Sequence, residues 1–190
     1  MAFANAHALP TLLVDSGTGK LTGADGVDVG GTLYDVRFVD GTCIALFSGC
    51  DSVADFPFAT SAAAALAVNA LLGQVFVDGP AGQFDSTPGQ IAGCSFSLVC
   101  GVIIPTATLG GALVSTILVI NASLESDDVF VVSFQGRSED SSSVPALVFA
   151  SWTPSAVPVP LPGTFSCLGI GLLALVLANR RRAQARCRTQ

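Results

Sequence analysis

The sequence predicts a small disulfide-stapled domain of α+β or mainly β class, followed by a single C-terminal hydrophobic helix. Three observations lead there. Several short runs rich in β-branched residues carry the two-residue period of strands. One alanine-rich run reads as helix, without a sustained β-α-β rhythm. Four cysteines, Cys43, Cys50, Cys94 and Cys100, fall as two close pairs inside the acidic part of the chain.

The first strong element is GTLYDVRFVDGTCIALFSGCD. Tyr34, Val36 and Phe38 alternate with Asp35, Arg37 and Val39, as in a half-buried strand. Asp40-Gly41 matches a two-residue type I′ turn, and Cys43 to Phe47 would supply the returning strand of a hairpin. A Cys43–Cys50 bridge would then pin the loop that leaves it. ATSAAAALAVNALLGQVF, residues 59–76, reads as a helix capped by Thr60 or Ser61 and ended at Gly73. GPAGQFDSTPGQIAGC, residues 79–94, has the composition of a loop.

From Cys94 the chain turns apolar again. Val114, Ile117, Val119 and Ile120 favour core strands around the Gly110-Gly111 pair. VFVVSF within 128–135 and VPALVFASW are two further strands, separated by the solvated loop SEDSSS at 138–143. The count is five to seven strands with one or two helices.

Charge divides the chain. All 14 Asp and Glu precede residue 141. Up to Gly163 they face only Lys20, Arg37 and Arg137, a net of −11, whereas the tail carries +5. So acidic a body repels phosphate, and no nucleic-acid partner is expected. Charged residues make up 12% of the chain, about half the fraction usual in a soluble domain.

Candidate chemical sites are few. SGTGK at 16–20 is too short for a phosphate-binding GxxxxGK[ST] loop, and GVDVGG at 26–31 lacks GxGxxG spacing; both are expected to be loops. Asp15, Asp25 and Asp28 lack the alternating oxygen ligands and closing glutamate of a calcium loop. His7 is the single histidine, so the body offers no histidine base to a serine or cysteine nucleophile. No metal, cofactor or catalytic residue is assigned. Asn121-Ala122-Ser123 has the glycosylation pattern, but the apolar run before it argues for burial.

The cysteines allow three pairings; proximity in sequence favours Cys43–Cys50 and Cys94–Cys100. Bridges of this kind belong to an oxidising compartment. Both ends of the chain fit export. Ala-Asn-Ala and Ala-His-Ala within residues 1–8 satisfy the small-x-small rule of a signal-peptidase site, so 1–8 reads as the remnant of a secretory signal. Residues 9–153 are then an exported acidic domain, and 154–163 a proline-rich linker. An apolar segment at 164–179 follows, with a basic cytoplasmic tail at 180–190. The apolar stretch Gly163 to Ala178 has 16 residues. It spans about 24 Å as a helix, short of the roughly 30 Å of a bilayer core. Arg180, Arg181 and Arg182 stand where positive charge is retained on the cytoplasmic side.

The order of these elements resembles a PEP-CTERM sorting domain. Val159, Pro160, Leu161, Pro162 and Gly163, followed by Thr164, occupy the motif, Phe165 to Ala178 the span, and Arg180 to Arg182 the stop. Leu161 departs from the glutamate of the commonest form. The stretches GVDVGGTLYDVRFVDGTC and ALLGQVFVDG are also similar to a group of such proteins without an assigned activity. The resemblance implies a transmembrane intermediate in contact with membrane lipid. It also implies cleavage by an exosortase-type processing enzyme, with Pro160, Leu161 and Pro162 as recognition residues, and delivery to the cell surface or exopolysaccharide matrix. Leu161-Pro162-Gly163-Thr164 also satisfies L-P-x-T of a Gram-positive wall signal, but the apolar run follows without a spacer. Two other readings remain open: a membrane-anchored periplasmic hydrolase using carboxylates, and a polysaccharide-binding module. The latter would expose aromatic platforms, for which Tyr34 and Trp152 are the non-phenylalanine candidates.

Overall fold

The structure, a computed structural model, describes residues 9–124 and 127–156. Those up to Ser155 belong to one compact unit. The sorting-motif residues Val159 to Gly163 and the arginines at 180–182 lie outside the described residues.

Seven strands form one sheet: β1 (Thr11–Val14), β2 (Leu21–Val29), β3 (Thr32–Val39), β6 (Val99–Thr108), β7 (Leu113–Ala122), β8 (Asp128–Gly136) and β9 (Leu147–Pro154). Their order is β1-β2-β3-β9-β6-β7-β8. Two antiparallel meanders, β1-β2-β3 and β6-β7-β8, are joined by the last strand, which inserts between them. It runs antiparallel to β3 and parallel to β6. Two-residue strands β4 (Asp78–Gly79) and β5 (Gly82–Gln83) make a separate small hairpin. Helix α1 (Cys43–Leu46) and helix α2 (Ser61–Ala70) complete the mixed α+β domain.

Strand alternation sends side chains to two cores. Tyr34, Val36 and Phe38 of β3, Cys100, Val102 and Ile104 of β6, and Val148, Ala150 and Trp152 of β9 face the larger core. Ala64, Ala67, Val68, Leu71 and Val75 cover them at helical spacing. The intervening residues Ile103 and Phe149 point the other way, into a smaller core with Cys43, Phe47, Cys50 and Phe56. Phe47 meets Phe149 edge-on with centroids 5.8 Å apart. β6 and β9 are therefore buried on both faces, which explains their nearly unbroken apolar sequences.

Several expectations are met. The strands at 94–123 flank the Gly110-Gly111 turn, VFVVSF lies within β8, and VPALVFASW is strand from Leu147 onward. Thr60 caps α2, its hydroxyl accepting from Ala63 N at 3.1 Å. Asn121 is fully buried; its Nδ2 donates to Phe84 O at 2.7 Å, which leaves no room for a glycan in the folded state.

Three expectations need correction. Cys43 to Phe47 is not a returning strand. Thr42 caps a short helix there, its hydroxyl accepting from Ala45 N, and β3 instead takes β9 as its neighbour. The type I′ hairpin lies one strand earlier, at Gly30-Gly31, where φ is 61° and 91°. GVDVGG is thus mostly strand, with only its last two residues in a turn. Gly23 in the same strand must be glycine, because a Cβ would stand 2.1 Å from Val36 O. Finally, Gly73 does not end the helix. The chain widens into a π turn over Leu71–Val75, within which the Gln74 amide pairs with the Asp28 backbone. It accepts from Asp28 N at 3.0 Å and donates to Asp28 O at 2.8 Å. Gln74 thereby serves β2 as a strand neighbour would.

Candidate functional site: a cation-locked disulfide loop

The four body cysteines pair as expected, Cys43 with Cys50 and Cys94 with Cys100, each with Cα atoms 5.7 Å apart. Every one of the four is fully buried. One bridge belongs to each core, so the two faces of the sheet are stapled separately.

Around the Cys43–Cys50 loop the structure gathers residues that no motif announces. Arg137, just beyond β8, donates from Nη2 to Gly49 O at 2.7 Å and from Nη1 to Gly111 O at 3.2 Å. Its backbone accepts from Ile44 N and donates to Ala112 O. The Asp51 carboxylate lies 3.8 Å away. One guanidinium therefore joins the disulfide loop, the β6–β7 turn and the exit of β8. Beside it, Ser141 is buried and donates to Asp40 Oδ1 at 3.0 Å, while accepting from Gly41 N at 3.2 Å. This zips the segment after β8 onto the segment after β3, a hundred residues earlier. Ser48, Gly49 and Cys50 all have left-handed backbones, with φ of 50°, 105° and 56°. Non-glycine residues pay for that conformation, and the bridge and the Arg137 contact hold it in place.

The remaining body cations are also committed to the chain itself. Lys20 donates to Cys94 O, beside the second bridge. Arg37 pairs with Asp25 at 2.7 Å and donates to Val36 O at 2.9 Å. Replacing Arg137 with Met should cost about 1.5–3 kcal/mol, because two loop carbonyls lose a charged donor. Urea denaturation would measure it. Lys at this position is expected to recover little, since one ammonium cannot fork between Gly49 and Gly111.

The aspartates weighed as calcium ligands are not brought together. Asp15 caps its own turn, accepting from Gly17 N and from Thr18 N and hydroxyl, and these bonds with Thr18 hold its carboxyl below the usual range. Asp25 serves Arg37, and Asp28 accepts from Gly31 N at 2.6 Å. Among the described residues no group of three His, Cys, Asp or Glu side chains is placed to hold a metal. The two candidate sugar platforms are packed inward. Trp152 is 4% exposed, and Tyr34 meets it edge-on and lies tilted against Phe58.

Asp35 closes the end of the domain. It accepts from the Ser155 hydroxyl and from Gly26 N, and Ser155 N donates to Leu33 O. The Ser155 bond, opposed by burial, holds the Asp35 carboxyl below its ordinary 3.8. A lowered carboxyl stabilises the fold above its unfolded pKa, and the gain is lost as pH falls through the folded value. Asp35→Asn should therefore flatten the decline of the urea midpoint on acidification below about pH 4. An unchanged slope would show that the clamp contributes nothing.

No family model, curated protein or solved structure matches the chain. With no family model matching, the expected PEP-CTERM domain is not sustained as an assignment. The transmembrane helix expected at 164–179 finds no support either: among the described residues no helix is long and apolar enough to cross a membrane, and 164–179 lies outside them. The inward packing of Trp152 and Tyr34 likewise removes the observation that would have spoken for exopolysaccharide contact. Sequence reading found the disulfides by proximity. It missed Arg137, Ser141 and Gln74, although three cations in so acidic a body were themselves a signal that each has a dedicated partner.

Proposed function

We propose that this chain is an exported surface or extracellular-matrix protein, whose C-terminal strip is a signal cut by an exosortase-type processing enzyme. The observation that carries the export half is the pair of buried disulfides. A domain that spends one bridge on each face of its sheet is made for an oxidising compartment. The processing half rests on the order of Val159-Pro160-Leu161-Pro162, the apolar run and Arg180 to Arg182 in the sequence. In this reading the chain is a substrate of processing, and the body is the cargo delivered outside the cell.

Mass spectrometry of the native protein from surface fractions tests both halves. The expected product ends near Pro162 or Thr164 and carries the mass deficit of both disulfides. Retention of residues 165–190 on the surface-exposed protein would remove the processing step. Reduced cysteines in the freshly isolated protein would remove the export reading.

A further inference from the structure

Three Asp-Gly pairs lie among the described residues: Asp25-Gly26, Asp40-Gly41 and Asp78-Gly79. An aspartate followed by glycine carries a latent reaction of the backbone. The glycine nitrogen attacks the aspartate Cγ and loses its proton, the N–Cγ bond forms, and a carboxyl oxygen leaves as water. The resulting succinimide takes up water at either carbonyl and opens to aspartate or isoaspartate. The net change is an isomerisation without change of mass, and it needs no other reactant. Glycine favours it because no side chain obstructs the close approach. The carboxyl and the N–H must be free to turn toward each other, so the partners that the fold gives them decide which pair reacts.

At Asp40-Gly41 one distant residue holds both reacting groups. Asp40 is exposed and directly follows β3, whereas Ser141 is buried. The Ser141 hydroxyl donates to Asp40 Oδ1 at 3.0 Å and accepts from Gly41 N at 3.2 Å, and Ser141 N donates to Gly41 O at 3.0 Å. Carboxyl, N–H and C=O are thus fixed by bonds to a single side chain and its own backbone. The other pairs are held differently. Asp25 serves Arg37 while Gly26 N donates to Asp35, and Asp78 accepts from Asp85 N and Ser86 N. Asp78 and Gly79 are both exposed. We propose that Asp40 is a latent isoaspartate site, and that the Ser141 hydroxyl keeps it closed in the folded protein. Isoaspartate there would put the side-chain methylene into the main chain between β3 and the Thr42 cap of α1. That lengthening undoes the Ser141 contacts and shifts the entry to the Cys43–Cys50 loop.

The test incubates the full chain, warm and near neutral pH, and then digests it with a protease that cuts before aspartate and not before isoaspartate. Fragmentation in the mass spectrometer assigns the position. In the folded wild type Asp40 should isomerise far more slowly than in the same chain unfolded in urea. Ser141→Ala should raise the rate at Asp40 about tenfold, the factor that one lost hydrogen bond of ordinary strength allows. Asp25 and Asp78 should keep their wild-type rates, which separates loss of the hydroxyl from loss of the fold. Asp140→Ala removes the cap of the same turn, which the Asp140 carboxylate forms with Ser142 N, and leaves the hydroxyl in place. It should leave Asp40 near the wild-type rate. Wild-type Asp40 reacting as fast as in urea would overturn the proposal, as would an unchanged rate in Ser141→Ala. A rise at all three pairs in Ser141→Ala, or an equal rise at Asp40 in Asp140→Ala, would overturn it too, by assigning the protection to the fold or the turn instead of the hydroxyl.

Discussion

Removing both disulfides should lower the stability of the domain by about 5 kcal/mol, about 2.5 for each short loop by the chain-entropy relation. That is a large share of the roughly 5–15 kcal/mol that holds a domain of this size together. The variants are Cys43→Ala with Cys50→Ala, Cys94→Ala with Cys100→Ala, and all four together. Their urea midpoints, compared with those of the oxidised protein, give the measurement. The bridges lie in separate cores on opposite faces of the sheet, so the two losses should add within a few tenths of a kcal/mol. A combined loss under about 1 kcal/mol would mean that the sheet and α2 suffice alone and that the bridges are incidental. The Cys43–Cys50 loop should suffer the more local damage, because three left-handed residues and the carbonyl held by Arg137 depend on it.

The second large effect is expected at Phe149. It is fully buried in the middle of β9, the strand that joins the two meanders, and anchors the smaller core against Phe47. Phe149→Ala should cost about 3–5 kcal/mol, the transfer energy of the ring plus the cavity it leaves. Phe149→Leu keeps most of the volume and should cost far less. In a double-mutant cycle with Phe47→Ala, a coupling of about 0.5–1.5 kcal/mol is expected from the edge-on ring pair. A loss below about 1 kcal/mol for Phe149→Ala would show that the smaller core collapses onto the gap and is not a separate packing unit.

The two effects bear on the same architectural fact. β9 is the last strand among the described residues and a central one in the sheet, so the two meanders are joined only once the chain has reached it. Parallel pairing of β9 with β6 needs a crossover from the far edge β8. The Arg137 and Ser141 contacts lie on that crossover. They tie it to the segment after β3 and so help to set where β9 enters.

Much of this was legible in the residues. Period-two alternation in TLYDVRFV marks a strand, because a half-buried pleat sends alternate side chains to different environments, and apolar, β-branched content marks the later strands. Alanine spacing and the Thr60 cap mark α2. The close cysteine pairs form the local bridges that their spacing favours. The misplaced hairpin has one physical source. Asp40-Gly41 and Gly30-Gly31 both qualify as hairpin turns, and local chemistry cannot say which pair of strands will close. That was decided by β9, more than a hundred residues away, which takes the place beside β3 and sends Cys43 to Phe47 off the sheet.

By itself, then, the sequence indicated β3 and the strands from β6 to β9, the helix, the acidity of the body and the order of elements in its C-terminal strip, and it favoured the two close cysteine pairings. These depend on neighbours a few residues apart. Only the tertiary structure decided that β9 is central, that each bridge serves a different core, and that Arg137, Gln74 and Ser141 hold backbone instead of ligand. Those roles depend on which distant carbonyls and amides come within about 3 Å once the sheet is assembled, and no local pattern encodes that distance.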